Sequence, residues 1–346
     1  MEYRTLGATG IRVSTHCLGT MMFGGWGNRD HDAGIRAINA ALDGGINFVD
    51  TADVYSAGES EEIVGKALKG RRDGVVLATK FHGQMGPGEN DQGNSRLWIM
   101  RAVENSLRRL QTDHIDLYQA HRPDPATDIE ETLSALTDLV RQGKIRAFGS
   151  STFPAWQIVE AQWVSERRGL ERFRCEQSPY SIMTRGIEND VLPVAQAYGM
   201  GVIVWSPLSR GWLTGKYRRD TDPDPDSRAG RAMERGDFVV RQFDRSRPEI
   251  QRKLDVVDAL RPVADKAGIS MGHLAIAFAI AHPDVTSAIL GPRTREQVEN
   301  LLAGADIRLD ADTLDAIDQI VPPGELVDDN DRGYTPPWME RGARRR

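Results

Sequence analysis

The chain has 346 residues, 40% of them hydrophobic, and a formal net charge of -6, a balance that fits a soluble globular protein and argues against a general nucleic-acid binder. No apolar run reaches the length of a membrane span, and the opening MEYRTLGATG lacks the apolar core of a signal peptide. Cys17 and Cys175 are the two cysteines and each lies in an apolar run, so structural disulfides and a cysteine-built zinc site are not expected, and the expected compartment is the cytoplasm.

Residues 3–13 read as a short hairpin, with Gly7 and Thr9-Gly10 in the turn and Ile11 and Val13 resuming the alternation. Strands and helices then alternate. The first strand ends at Leu18-Gly19-Thr20, and its helix, 32–43, keeps Ile35, Ile38, Ala41 and Leu42 on one face with Gly44 just past its end. The second strand, 46–49, stops abruptly at Asp50; Tyr55 follows on a short loop, then an acidic helix start at 59–62. The third strand is 75–79, followed by a glycine-rich loop and a helix over 95–110. The fourth is 115–120 with a helix over 129–142, and the fifth 147–150 with Pro154 opening its helix. The sixth is 174–177 and the seventh 201–205, with a helical segment over 189–198 between them. A charged, proline-punctuated stretch, 218–247, interrupts the rhythm, and helices over 248–266 and 270–281 follow, the first ended or kinked by Pro262. The eighth strand is 286–291, its helix 294–303, and 309–320 reads as an extra helix.

Eight such units at this length favour a closed (β/α)8 TIM barrel, with an N-terminal hairpin and extra C-terminal helices, over an open doubly wound sheet. No G-x-G-x-x-G follows an early strand, which weakens the open sheet. We read 1–346 as a single domain, with 218–247 a long loop inserted between barrel elements and 321–346 a tail rich in Pro, Gly and charge.

Barrels of this type carry their chemistry at the C-terminal ends of the strands. Here those ends are Gly19-Thr20, Asp50, Lys80, His121, Ser150-Ser151, Gln177, Trp205-Ser206 and Gly291. Strands end where polar loops begin, which accounts for Ser150 or Gln177 taken alone. It accounts less well for an Asp, a Lys and a His at three consecutive strand ends, with Tyr55 just beyond the first. A phenol has a free pKa of about 10 and gives up a proton poorly at neutral pH. The ammonium of Lys80 would stabilise its phenolate.

GINFVDTADVYSAGESEEIVGKAL (45–68), LATK (77–80) and LRRLQTDHIDLYQAHRPDP (107–125) closely resemble the segments that carry the catalytic tetrad of aldo-keto reductases, NADPH-dependent barrel enzymes. The likeness runs from Tyr3 to about Ile320 and leans toward the branch related to potassium-channel β-subunits. It implies reduction of an aldehyde or ketone by hydride transfer, with Tyr55 as proton donor, Lys80 lowering its pKa, Asp50 holding Lys80, and His121 aligning the carbonyl oxygen.

The same resemblance assigns the cofactor. Gly19, Thr20 and Met21, with Asp50, fall at the first two strand ends. Ser151 and Thr152 stand where the family usually has Ser-Asn on the nicotinamide carboxamide; Gln177 matches a third partner and Trp205 the stacking aromatic. Ser206, Pro207 and Leu208, with Ser209 and Gly211 after them and Lys216 in the following LTGKY (213–217), resemble the pyrophosphate loop. Gly291, Arg293, Gln297 and Asn300 in GPRTREQVEN open the last helix, where Arg293 would read the adenosine 2'-phosphate; the family's Asn lies one position after Asn300. Arg228 in DSRAG resembles an arginine of a cofactor-covering loop.

Met22, Trp26 and Phe81, with His82, are expected near the pocket for a small carbonyl substrate. Two rival readings stay open: a Schiff-base aldolase with Lys80 as nucleophile, and a regulatory protein that holds NADPH as a sensor. The seven histidines form no zinc-binding pattern such as H-E-x-x-H. Oligomeric state is not readable, a homo-oligomer included.

Overall fold

An antiparallel hairpin opens the chain: β1 (Tyr3–Thr5) pairs with β2 (Arg12–Ser14), Arg4 opposite Val13. Its turn demands glycine at position 7, where φ is +53° and an added Cβ would lie 2.4 Å from the Gly201 nitrogen. The computed structural model describes residues 1–235 and 238–339; the expectations for 236–237 of the inserted stretch and 340–346 of the tail lie outside the described residues.

The parallel strands follow in order with their helices. These are β3 (His16–Gly19), α1 (His31–Asp43), β4 (Phe48–Asp50), α2 (Glu59–Ala67), β5 (Val76–Phe81) and α3 (Arg96–Leu110). Next come β6 (Ile115–Ala120), α4 (Ile129–Arg141), β7 (Ile145–Ser151), α5 (Ala155–Arg168), β8 (Cys175–Pro179), α6 (Val191–Ala197) and β9 (Gly201–Trp205). After them lie α7 (Arg228–Arg235), α8 (Pro248–Ala267), α9 (Met271–Ala281), β10 (Ser287–Leu290), α10 (Arg295–Ala303) and α11 (Ala311–Ile320). Strands β3 to β10 close into an eight-stranded barrel, β10 pairing in parallel with β3. The expected (β/α)8 TIM barrel with its N-terminal hairpin is what the chain forms.

Side chains fix the starts of several helices. Ser95, Asp128, Ser270, Thr294 and Asp310 each accept a hydrogen bond from the first turn of α3, α4, α9, α10 and α11. Within the barrel, Cys17, Phe48, Ala78, Leu117, Ala147, Cys175 and Ile203 form a core layer, closed from the hairpin by Leu6 and Val13. These residues alternate with outward ones that pack on the helices, as the twofold strand period requires.

Three expectations need correction. Strand β5 runs on through Lys80 and Phe81, so the lysine sits inside the strand, opposite Gln119, rather than just past its end. Helix α8 does not stop at Pro262. The proline is exposed, and the carbonyl it deprives of a donor belongs to exposed Asp258. The stretch 218–247 holds a short helix, α7, and a 3-10 turn, Phe238–Gln242.

The chain divides into two compact units. The first comprises Met1–Ser178, Val191–Ile203 and Asp284–Asp306; the second comprises Pro179–Asp190, Val204–Pro283 and Ile307–Arg346, so the division falls inside β9. The second unit is tied by enclosed charges. Lys253 of α8 is 1% exposed and meets Asp328 at 2.8 Å and Asp331 at 2.6 Å, and Arg210 pairs with Asp331 as well. Arg185 holds Glu188, Asp318 and the Val321 carbonyl. The stretch after Val321, expected only as a charged tail, is thus pinned through residue 331. Among the described residues no single helix is long and apolar enough to cross a membrane.

Candidate active site

Three strands of the first unit deliver the central groups. Asp50 ends β4, Lys80 lies in β5 and Gln119 in β6, all on the inner face. Lys80 is fully buried, and its ammonium spends all three N–H groups: on Asp50 Oδ1 at 2.5 Å, the Thr51 carbonyl at 2.7 Å and Tyr55 Oη at 3.3 Å. Asp50 Oδ2 accepts from Gln177 Nε2 at 3.0 Å and Gln119 Nε2 at 3.3 Å. The His121 ring stands edge-on to Tyr55, centroids 5.8 Å apart, and Trp26 tilts over Tyr55 at 6.0 Å. The four tetrad candidates therefore converge.

Tyr55 opens a 3-10 turn, Tyr55–Gly58, in which Ser56, Ala57 and Gly58 all have positive φ. Two non-glycine residues in that region cost roughly 1–2 kcal/mol each. The turn is held by a hydrogen bond from Trp26 N–H to Ser56 Oγ at 3.0 Å. Beneath it Glu61, fully buried, takes Thr79 Oγ1 and Arg109 Nε, each at 2.6 Å.

The electrostatics differ from expectation in one respect. Burial pushes the Tyr55 phenol above its ordinary pKa; Lys80 pulls it back and Asp50 adds to the rise, so the net direction is upward. Burial alone would lower Lys80, but Asp50 and Tyr55 outweigh it and the ammonium is held raised. His121 is pushed well below its ordinary value by burial and by Lys80 and Arg122, so its ring is neutral. The site thus keeps a protonated phenol hydrogen-bonded to a permanent cation, beside a neutral imidazole. That arrangement can deliver a proton to an oxygen and stabilise the charge left behind.

The Aldo/keto reductase family model matches residues 17–322. The chain belongs to the aldo/keto reductase family. It is 40% identical to the uncharacterized oxidoreductase YrpG of Bacillus subtilis, over 93% of this chain and 96% of that protein. It is 38% identical to the aldo-keto reductase YhdN of Bacillus subtilis, over 87% and 88%. It is 35% identical to a probable voltage-gated potassium channel subunit beta of Arabidopsis thaliana, over 93% and 97%. Like the names of the two Bacillus subtilis relatives, the family places the chain among oxidoreductases.

In this aldo/keto reductase the remaining candidates of the first unit fall as follows. Ser151 ends β7 and its hydroxyl donates to the Gln177 carbonyl at 2.9 Å. Thr152 has φ +59°, a left-handed conformation that a β-branched residue adopts under strain, and its hydroxyl donates to the Ser151 carbonyl at 2.6 Å. Gln177 has its amide nitrogen on Asp50 and Gln119. Thr20 is buried against Ser60 and the Asp50 carbonyl, beside Gly19; Met21 and Met22 are half-buried. Gly291 is exposed, and Arg293 N–H donates to Gln297 Oε1 at 2.7 Å, so that side chain folds back on the helix start. Asn300 lies exposed on α10.

In the second unit, Trp205 ends β9 half-buried, and Ser206 follows with φ +57°. Beyond Pro207 and Leu208, the 3-10 turn Ser209–Thr214 holds Ser209, Arg210 and Gly211 at positive φ. A Cβ on Gly211 would lie 3.2 Å from Lys216 Nζ. Arg228 opens α7, and the next N–H, of Ala229, donates to Tyr217 Oη at 3.4 Å.

Phe81 is a correction. It is fully buried and packs on Tyr118 with ring centroids 4.8 Å apart, facing away from Lys80. Adjacent strand residues point to opposite faces, so Lys80 and Phe81 cannot both line the site. His82, at φ +134°, is held instead by Asn94 at 2.9 Å. Sequence reasoning missed Gln119, whose signal was a polar residue at an inward position of IDLYQA. It also missed Arg122, adjacent to His121, and Glu176, adjacent to Gln177.

Proposed function

We propose that this aldo/keto reductase reduces aldehydes or ketones to alcohols with NADPH, and that Tyr55 gives the proton. The observation that carries the reading is the single ammonium of Lys80 bonded to both Asp50 and the Tyr55 hydroxyl. The chemistry that a bound nicotinamide would supply is the hydride. The carbonyl oxygen takes the Tyr55 proton, and Lys80 stabilises the phenolate left behind. The neutral ring of His121 offers an N–H that orients that oxygen. A Lys80 ammonium with all its protons engaged and its pKa raised is a poor amine nucleophile, which counts against the aldolase reading.

The residues fit such a cofactor. In the second unit, the turn after Trp205 holds Ser206, Ser209, Arg210 and Gly211 at positive φ, and Lys216 Nζ lies close to Gly211, which has no Cβ in the way. There Lys216 and Arg228 would serve the phosphates. In the first unit, Ser151, Thr152 and Gln177 would hold the carboxamide, and Arg293 with the α10 N-terminus would hold the 2'-phosphate. One charge-assisted contact of that kind is worth about 1.5–3 kcal/mol, enough to prefer NADPH over NADH by about tenfold or more. We place the enzyme in the cytoplasm, a reading supported by the buried free thiols of Cys17 and Cys175. A second reading, a regulatory protein that holds NADPH, is favoured by the likeness to the channel-subunit relative.

Tyr55→Phe separates them. Turnover of small aldehydes with NADPH should fall by about a hundredfold or more while NADPH affinity holds. A variant that keeps half of wild-type turnover overturns the proton-donor role. Wild-type protein that binds NADPH and reduces none of a broad aldehyde panel favours the regulatory reading, and equal kcat/KM with NADH removes the 2'-phosphate assignment.

A further inference from the structure

Arg122 follows His121 directly, and burial pulls its pKa below the ordinary arginine value. Its Nη1 donates to the His121 carbonyl at 2.9 Å and to Thr152 Oγ1 at 3.2 Å. No carboxylate of the described residues pairs with it, and Nε and Nη2 make no hydrogen bond to them. Other enclosed arginines are treated differently: Arg72 holds Asp116, Arg109 holds Glu61, Arg185 holds Glu188 and Asp318, and Arg210 holds Asp331. The one carboxylate whose charge reaches Arg122, Glu176, spends its oxygens on Ser150 Oγ at 2.6 Å and Ser178 Oγ at 2.8 Å. Arg122 is half-buried, and a partly desolvated guanidinium that lacks a counter-charge and keeps its free edge open beside reactive side chains points to a ligand that supplies the charge.

We propose that Arg122 is a specificity residue that selects carbonyl substrates bearing a carboxylate. The inference rests on the carbonyl-reductase reading above. With Nη1 spent, the edge that remains is Nε–H beside Nη2–H, the parallel pair that a carboxylate takes with both oxygens. Arg122 is bonded to the backbone of His121, whose ring stands 5.8 Å from that of Tyr55, so an anion held there lies near the reacting phenol. An aldehyde acid or keto acid could then set its carbonyl oxygen at Tyr55 and His121 with its carboxylate on Arg122. Lysine, a point charge without the paired donors, would serve less well.

The test compares succinic semialdehyde with butanal, aldehydes of the same length that differ in the carboxylate. Wild-type enzyme should prefer the acid in kcat/KM by at least about tenfold, mainly through KM. Arg122→Met should lower kcat/KM for succinic semialdehyde at least about tenfold more than for butanal, and Arg122→Lys should recover part of the difference. A wild type without preference overturns the proposal, and so does an Arg122→Met loss equal for both aldehydes, which would mean that the guanidinium only supports Tyr55 or Thr152. Calorimetric titration with butanoate, which cannot be reduced, gives an independent arm. Binding that Arg122→Met weakens at least tenfold supports the proposal, and absence of binding to folded wild-type protein overturns it. If neither aldehyde is reduced, the reductase reading fails, and the butanoate titration still decides whether Arg122 holds a carboxylate.

Discussion

Lys80 in the first unit and Lys253 in the second are both sealed from water, yet their surroundings differ in kind. Lys253 meets two carboxylates, and with Arg210 the cluster sums to two positive and two negative charges. Every partner there is a carboxylate or a guanidinium, and the cluster is made of ion pairs alone. Lys80 meets one carboxylate and one phenol. Its charge is also balanced, but one partner carries a transferable proton. Net neutrality therefore does not separate a functional buried lysine from a structural one; the protonic character of the last partner does.

The neighbouring groups repeat the contrast. In the first unit, burial drives groups toward their neutral forms: Tyr55 up and His121 down beside Lys80, and Glu176, on Ser150 and Ser178, up to about 7. Around Lys253, burial works on Asp328 in the same sense, but its bonds to Lys253 and Asn330 outweigh burial and hold its pKa down.

Substituting the two lysines tests the comparison most directly. Lys80→Met should reduce turnover by at least about a hundredfold in a protein that stays folded. Restoration of that turnover at high pH would show that the ammonium does not matter. Lys253→Met should do the opposite, lowering unfolding free energy by about 3–5 kcal/mol in urea titrations while leaving the hydride-transfer step in folded protein near wild type. A folded Lys253→Met protein with no single-turnover chemistry would break the contrast.

Glu176→Gln gives a smaller effect with a defined sign. The folded pKa lies above the unfolded value, from 4.5 to about 7. Between those values the folded chain holds a proton that the unfolded chain has lost, so stability falls as pH rises through that window. Glutamine stays neutral, and the fall should disappear from the pH dependence of Tm. An unchanged pH dependence would show that Glu176 titrates normally. The smallest effect is Thr152→Asn, which should add about 1 kcal/mol by relieving the left-handed conformation. A lower Tm would mean that the hydroxyl bonds of Thr152 outweigh its strain.

How much of this was legible depends on range. Strand and helix positions and the polar residues Asp50, Lys80 and His121 follow from local pattern; the structure brings these side chains together with Tyr55, Lys80 from inside β5 rather than from its end. The direction of the Tyr55 pKa does not follow from pattern, because it turns on how completely the phenol is enclosed. Phe81 was misjudged although the twofold strand period already set it opposite Lys80. Thr152 looked like a shorter stand-in for asparagine; the structure adds that the position needs a left-handed residue, which asparagine tolerates and threonine does not. Lys253 was invisible, since its carboxylates lie some 75 positions along the chain and pair with it only after folding.

That separation bears on synthesis. Lys253 and Arg210 leave the ribosome well before Asp328 and Asp331 do. Until residue 331 has been made, folding around α8 would enclose an ammonium and a guanidinium with no counter-ion, at a cost of several kcal/mol for each. The nascent second unit therefore has reason to stay open until then, whereas Lys80 of the first finds its counter-ion in Asp50, thirty residues earlier in the chain. A chain cut short before Asp328 would leave Lys253 and Arg210 without these carboxylates, a defect in the interior and not at the surface.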